Sequence, residues 1–359
     1  MPETASNHRV VSSDTAARER KAGAWLADAT GISVCIVNYN QRELLDRCIQ
    51  AVLQQDVQIP VELLIADNGS TDDSVAWLKR EHPEIPLFEN DNVGFSRSNN
   101  QLISQSRHSM VLLLNNDCVL EGDALRRMVE AMESDDKIGI LGCRTLVADG
   151  ILQPTFHSAS RHAFFVRKPA RWDAPHVLMF GSDLEKRRAL MRKYERSHGY
   201  DRFREVPALS GVCLLIRREV FRDVGLLDEA FFMYHEDTDF CLRARKAGWK
   251  VCYTPSAVVH HFLRRKETKR SSRLLAEAWF SQFYFVRKHF GRFWGGLVLA
   301  RQCVQTAAYC VYGALRASMG RDSASEWRER VEWRWQTIAR SAGYRPDRAA
   351  ARESAHSSL

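Results

Sequence analysis

Four polar clusters in this 359-residue sequence carry residue types able to do chemistry. The densest is Phe231-Phe-Met-Tyr-His-Glu-Asp-Thr-Asp239, where Glu236, Asp237 and Asp239 follow an aromatic-rich run. Carboxylates are stabilised at a helix N-terminus, so plain capping accounts for three acids there. The aromatic run before them also fits a partly desolvated carboxylate suited to general-base work. Asp239 and Arg243 stand four residues apart and are expected to pair structurally along one helix face. Asn115-Asn116-Asp117 offers a carboxylate to a hard divalent cation, which prefers oxygen ligands, although a turn with a helix cap uses the same residues. Asp67-Asn68-Gly69-Ser70 joins an acceptor of hydrogen bonds to a glycine that admits close backbone approach; it is also a common turn. His260-His261 ends an apolar run and places two imidazoles where they can complete a site opened by Asp117.

The elements that must hold these clusters follow from hydrophobic patterning. Ile32–Val37, Val61–Ala66 and Met110–Leu114 are short, continuous apolar runs and read as strands buried on both faces. Helical spacing separates them at Leu44–Leu53, Ser74–Lys79 (with Asp72 or Asp73 as cap) and Asn99–Ser106, and a weaker strand lies at Ile85–Glu89. Gly122–Glu133 reads as a further helix. Strand and helix alternate, which implies an α/β fold with a mostly parallel sheet flanked by helices. In such sheets ligands bind at the carboxyl ends of the strands. Asn38-Tyr39-Asn40, Asp67–Ser70 and Asn115–Asp117 all fall at those ends.

Residues 149–205 have poor periodicity and read as long loops around one basic helix, Asp183–Ser197; such loops are usually functional. Three helices are expected at Ser272–His289, Phe293–Ser318 and Ser325–Ser341. From His260 onward the chain has 19 Lys and Arg against 8 Asp and Glu, so the net +8 is concentrated there. A basic segment attracts phosphate, whether on a membrane or elsewhere, or simply solvates a helix surface. Phe293, Leu297, Ala300, Val304, Val311 and Leu315 line one face of an amphipathic helix, which packs on its own domain, lies in a membrane interface or spans the bilayer. No nucleic-acid-reading module is recognisable. Nine scattered cysteines without a CxxC pair argue against structural zinc and for a reducing, cytoplasmic home. Residues 1–30 read as a polar tail with a short helix near 16–27 and no signal peptide.

The order of short motifs resembles the family 2 inverting glycosyltransferases of the GT-A fold, in particular a rhamnosyltransferase-like group. The matching pieces are Val34–Asn40, Ala66–Asp72, Asn92-Val-Gly-Phe95 with Asn99-Asn100, Leu112–Asp117, Gly211–Arg217, Gly225–Asp228, Glu236–Asp239 and His260-His261. The resemblance implies a catalytic domain over 31–262, with a nucleotide-sugar half (31–120) and an acceptor half (121–262), then a basic helical region (263–359). It implies donor contacts from Asn38, Tyr39, Asn40, Asp67, Asn68, Asn92, Gly94, Phe95, Asn99, Asn115 and Asn116. Asp117 fills the second acid of the family's DxD motif, whose first acid is Asn115 here; with His261, or failing that His260, it would hold Mg²⁺ or Mn²⁺. Asp237 matches the general base, and Glu236 beside it would position the acceptor. Expected partners are a dTDP- or UDP-sugar, with dTDP-rhamnose first, and a glycan or polyprenyl-linked acceptor at the inner leaflet. A galactofuranosyl- or other hexosyltransferase using a UDP-sugar, or a non-catalytic nucleotide-sugar-binding scaffold, are the alternatives.

Overall fold

The structure, a computed structural model, describes residues 29–147, 150–157, 184–262, 272–318 and 324–344. The expected helix near 16–27 and most of the long loop segment, 158–183, lie outside the described residues. The first half alternates as read: β1 (Ala29–Asn38), α1 (Arg42–Leu53), β2 (Val61–Asp67), α2 (Ser74–Glu81), β3 (Leu87–Glu89), α3 (Phe95–Gln105) and β4 (His108–Asn115). Then come β5 (Cys118–Leu120), α4 (Ala124–Glu133), β6 (Ile138–Val147), β7 (Ile151–Leu152), β8 (Phe156–His157) and α5 (Leu184–His198). β9 (Arg204–Glu205), β10 (Ala208–Leu209), β11 (Cys213–Arg217), α6 (Arg218–Val224), α7 (Glu236–Lys246) and β12 (Lys250–His261) complete the sheet region. Three helices follow: α8 (Ser272–Phe290), α9 (Arg292–Ser318) and α10 (Ala324–Gly343).

The main sheet has the order β3-β2-β1-β4-β11-β6-β12-β5. The first four strands are parallel; β11 is inserted antiparallel between β4 and β6, and β12 runs parallel to β6. The strands lack apolar alternation because both faces are covered. Val34, Ile36, Leu112 and Leu114 pack against α1 and α4 on one side. Cys35, Val111 and Leu113 pack with Leu102 of α3 and Phe240 of α7 on the other. Each fully buried side chain of this kind contributes about 1.5–3 kcal/mol, so the parallel core fixes the register firmly. That register sets Asn38 beside Asp67 and Val37 beside Asn115, while His261 of β12 pairs with Cys118. The polar clusters therefore share one edge.

Of the two caps read for α2, Asp72 or Asp73, it is Asp72 whose carboxylate accepts hydrogen bonds from the Ser74 backbone and hydroxyl at 3.1 and 2.5 Å. The apolar stripe of α9 does not pack on its own domain. Phe293, Val304 and Val311 are 71%, 68% and 62% exposed, whereas Gln302 and Thr306 are buried. Among the described residues no helix is long and apolar enough to cross a membrane.

Candidate active site

The strand ends are joined by an amide–carboxylate network. Asn116 Nδ2 donates to Asn38 Oδ1 at 2.7 Å, and Asn38 Nδ2 donates to Asp67 Oδ2 at 2.8 Å. Ser70 adds two bonds to Asp67, from its backbone N–H and its hydroxyl, both at 2.7 Å. One chain of bonds thus ties β4, β1 and β2. Asn38, Asp67 and Asn116 are buried, with most of their polar capacity used internally. The sequence reading assigned them donor contacts; in this structure they shape the edge from within.

Asn68 performs the same service one layer out. It donates to the Gly94 carbonyl at 3.3 Å and accepts from the Ser98 hydroxyl at 2.5 Å, holding the start of α3. Asn99 is buried and donates to the Phe95 carbonyl at 2.9 Å. Asn40 Oδ1 accepts from the Thr71 N–H at 2.6 Å. Of the expected donor-contact residues, Tyr39 is exposed, and Asn40, Asn92, Phe95 and Asn115 are half-buried; these form the accessible rim.

Gly94 links the two halves. Its φ is +90°, and a Cβ there would lie 2.6 Å from the Phe232 carbonyl oxygen. The Phe95 N–H donates to that same oxygen at 2.8 Å. The loop it grips then turns through Tyr234 and His235, both at positive φ (72° and 69°), directly before α7. Two consecutive side-chain-bearing residues in the left-handed region are costly and mark a constrained site.

The acids that open α7 have three different environments. Asp237 is half-buried; its Oδ2 accepts from the Gly211 N–H at 2.8 Å, and its Oδ1 from the Thr238 N–H at 2.6 Å and hydroxyl at 3.1 Å. The next residue after Gly211, Val212, accepts at its carbonyl from the Asn115 N–H at 3.0 Å and from the Cys118 thiol at 3.7 Å. Two successive residues therefore connect Asp237 to the Asn115–Cys118 turn. Nothing in the sequence marked Gly211 for this role beyond its place in a motif.

Glu236 is 5% exposed, and its Oε2 is buried without a hydrogen-bond partner among the described residues. Burial, reinforced by the charge of Asp237, pushes its carboxyl well above the usual range, so the neutral acid is favoured. The desolvated carboxyl expected behind the aromatic run is thus Glu236 rather than Asp237. A raised folded-state pKa stabilises the protein only below the unfolded value of about 4.3 and costs stability as pH rises above it. Glu236→Gln is therefore expected to raise Tm, by an amount that grows from pH 4 towards neutrality. A pH-independent Tm difference in a scanning calorimeter would show that Glu236 is not held neutral.

Asp239, two residues after Asp237, is fully buried. It accepts from Arg243 Nε at 2.8 Å, His289 Nε2 at 2.7 Å and Lys288 Nζ at 2.6 Å. Burial opposes its charge, but the His289 hydrogen bond and the Arg243 and Lys288 charges prevail and hold the carboxyl well below its usual range. Lys288 also reaches Asp228 at 2.7 Å, as does the Tyr284 hydroxyl at 2.8 Å. The Ser281 hydroxyl donates to the Met233 carbonyl at 2.9 Å, and Phe231 is enclosed by Phe280, Phe283, Phe285 and Val286. Helix α8 is thereby latched to the segment that carries the acids. The sequence offered no signal for this, because its cations sit in a generally basic stretch.

At the other end of the edge, His261 Nε2 and Asp117 Oδ1 are 3.0 Å apart. His261 Nδ1 meets Gln153 Oε1 at 2.8 Å, which fixes the ring and presents Nε2 to Asp117. Two ligands of one octahedral cation at about 2.1 Å sit about 3 Å apart in neighbouring positions, so this pair fits Mg²⁺ or Mn²⁺. Cys118 lies within reach of both, but burial and then the Asp117 charge hold its thiol protonated, and a thiol does not suit a hard cation. His260 is turned away and pairs with Glu121 at 2.9 Å, which separates the two adjacent histidines. Gln153 came from the stretch of poor periodicity and had no sequence signal.

A mostly parallel sheet covered on both faces and followed by helices is the architecture of the GT-A glycosyltransferases. The sequence profile of glycosyltransferase like family 2 matches residues 29–279, and the chain belongs to that family. It is 29% identical over 283 residues to the N-acetylglucosaminyl-diphospho-decaprenol L-rhamnosyltransferase of Mycobacterium tuberculosis, covering 72% of this chain and 85% of the relative. It is 26% identical over 229 residues to a low-salt glycan biosynthesis hexosyltransferase of Haloferax volcanii, covering 61% and 63%. Among solved structures, GalNAc-T7 with UDP, GalNAc and Mn²⁺ superposes with a TM-score of 0.52 at 15% identity over 72% of this chain. The match spans about half of that chain, 48%.

Proposed function

We propose that the protein transfers a sugar, in the first instance rhamnose from dTDP-rhamnose, to a glycan carried on a polyprenyl lipid, with inversion at the anomeric carbon. The setting is cell-wall or surface polysaccharide synthesis at the cytoplasmic face of the inner membrane. The observation that carries this reading is the Gly211–Val212 link, which joins the Asp237 carboxylate to the turn bearing Asp117. The rhamnosyltransferase named among the relatives supports the rhamnosyl group and the lipid-linked acceptor.

Asp237 takes the proton of the acceptor hydroxyl as that oxygen attacks the anomeric carbon from the side opposite the diphosphate. The Gly211 and Thr238 N–H groups hold the carboxylate in one orientation for this step. Tyr39, Asn40, Asn92, Phe95 and Asn115 contact the donor, and the buried Asn38–Asp67–Asn116 network keeps their strands in place. Glu236, held neutral, donates a hydrogen bond that positions the acceptor. Asp117 and His261 would hold a divalent cation, which supplies electrostatic stabilisation of the departing diphosphate. A single displacement needs no covalent intermediate. A second reading, transfer of a hexose from a UDP-sugar, is favoured by the hexosyltransferase among the relatives.

Thermal stabilisation by nucleotide diphosphates tests the donor site. With Mg²⁺ or Mn²⁺ present, dTDP and dTDP-rhamnose are expected to raise Tm by roughly 5–10 °C at about 100 times Kd. Asp117→Ala should abolish the metal-dependent part of the shift. A preference for UDP and UDP-sugars would select the second reading, and no shift on folded protein would overturn both.

A further inference from the structure

Helix α9 is built inside out. Its inward face carries Val298, Gln302 and Thr306, all fully buried; Gln302 donates to the Trp279 carbonyl at 2.9 Å, and Thr306 to the Gln302 carbonyl at 2.8 Å. Its outward face carries Phe293, Leu297, Val304 and Val311, with exposures from 39% to 71%. These four are spaced four, seven and seven residues apart, so they fall within about 40° of one another around the helix. Ala300 and Ala308 lie in the same stripe. An apolar stripe along a 27-residue helix, about 40 Å in length, is far more than scattered surface hydrophobes.

Charge selects the occupant. Arg292–Ser318 contains Arg292, Arg301 and Arg316 and no acidic residue. Arg301 donates to Gln282 at 2.5 Å, while Arg292 and Arg316, the latter in contact with the Tyr312 hydroxyl at 3.4 Å, flank the stripe near the two ends of the helix. Pairing of α9 with its counterpart in a second copy offers these arginines no opposite charge, because the helix carries no acid. An anionic lipid surface meets both ends with the opposite sign and takes the apolar stripe between them. Phe293 and Tyr312, the latter 53% exposed, are residue types that sit readily at the headgroup boundary.

We infer that the outward face of α9 is a membrane-docking surface that lies in the plane of an anionic bilayer, with Phe293, Leu297, Val304 and Val311 entering the acyl boundary. The inference rests on the membrane setting proposed above and names the surface responsible. It also bears on the acceptor: α9 follows α8 across Gly291 alone, and α8 is latched to the acid-bearing segment, so docking brings the active site to a lipid-carried glycan.

The test uses the full chain, without donor or acceptor, in flotation with phosphatidylcholine vesicles containing about 30% phosphatidylglycerol. Wild type should float with these vesicles and at least about fivefold less with pure phosphatidylcholine. Val304→Asp/Val311→Asp should lower the bound fraction at least about tenfold with an unchanged Tm, since both positions face solvent. Equal binding by this variant, or no binding by wild type, would overturn the inference. A wild-type dimer that the same substitutions convert to monomer would assign the face to a second copy instead and also overturn it. Turnover of a detergent-solubilised lipid acceptor by the variant, measured separately, tells failure of the docking face from failure of the proposed activity.

Discussion

Asp237→Asn should lower kcat for sugar transfer by about 10²–10⁴-fold, the usual contribution of a positioned general base. Donor Kd should stay within about twofold, because the accessible donor rim lies on other elements. The substitution is nearly isosteric but not neutral in hydrogen bonding. Asp237 accepts at both oxygens, from Gly211 and from Thr238. Asparagine can satisfy only one of these backbone donors and turns its NH₂ on the other, so a loss of about 1–3 kcal/mol in stability accompanies the kinetic effect. The two effects are separated by measuring kcat below the shifted Tm and donor affinity by calorimetric titration. Donor affinity that collapses together with turnover would move Asp237 from the proton-transfer role into the donor or cation site.

The largest effect on stability is expected at Asp239. Its carboxylate accepts from three nitrogen groups on two helices, of which Arg243 and Lys288 are cations. Asp239→Ala leaves Arg243 and Lys288 without their counter-charge and should cost about 3–5 kcal/mol, lowering Tm by roughly 6–15 °C. The pH dependence has a defined sign. Asp239 has a depressed folded-state pKa, so its stabilisation is complete above the unfolded value of about 3.9 and is lost only as pH falls below that. His289 is also depressed, because burial outweighs its bond to Asp239. Its neutral form donates Nε2–H to the carboxylate, and it stabilises the fold above about pH 6.5, with loss as pH falls through that value. The Tm advantage of wild type over His289→Gln should therefore shrink as pH falls below about 6.5, while the Asp239 contribution persists in both until pH falls below about 3.9. A Tm for Asp239→Ala within about 2 °C of wild type would show that the cations rearrange to solvent at little cost.

Much of this was legible in the sequence, for physical reasons that differ by element. β1, β2 and β4 announce themselves as continuous apolar runs because helices cover both their faces, and each ends in the polar residues that form the edge. The boundaries of α8 to α10 follow from helical spacing and differ from the reading by one or two residues. The two-residue strands β7 to β10 gave no pattern, because pairing this short depends on tertiary neighbours. At the site, residue types showed where polar groups gather but not which way they turn. Asn38, Asp67 and Asn116 are expected as donor contacts, and the hydrogen bonds that run from Asn116 to Asn38 and from Asn38 to Asp67 have no sequence signal. His261 ranks ahead of His260 in the sequence only through the resemblance, and strand pleating separates the two: His260 meets Glu121 and His261 meets Asp117. Long-range partners such as Gln153 and His289 leave no local mark.

The latch formed by α8 bears on how this chain could exchange parts with others in the course of evolution. The stretch shared with the family ends at residue 279, inside α8, whereas Ser281, Tyr284, Lys288 and His289 all lie beyond it. A transplant of the shared stretch alone would carry Asp228 and Asp239 into the new host without the cations that neutralise them. The unit recognisable by descent is therefore shorter than the unit that folds, and a successful fusion would have to bring α8 along or replace both acids.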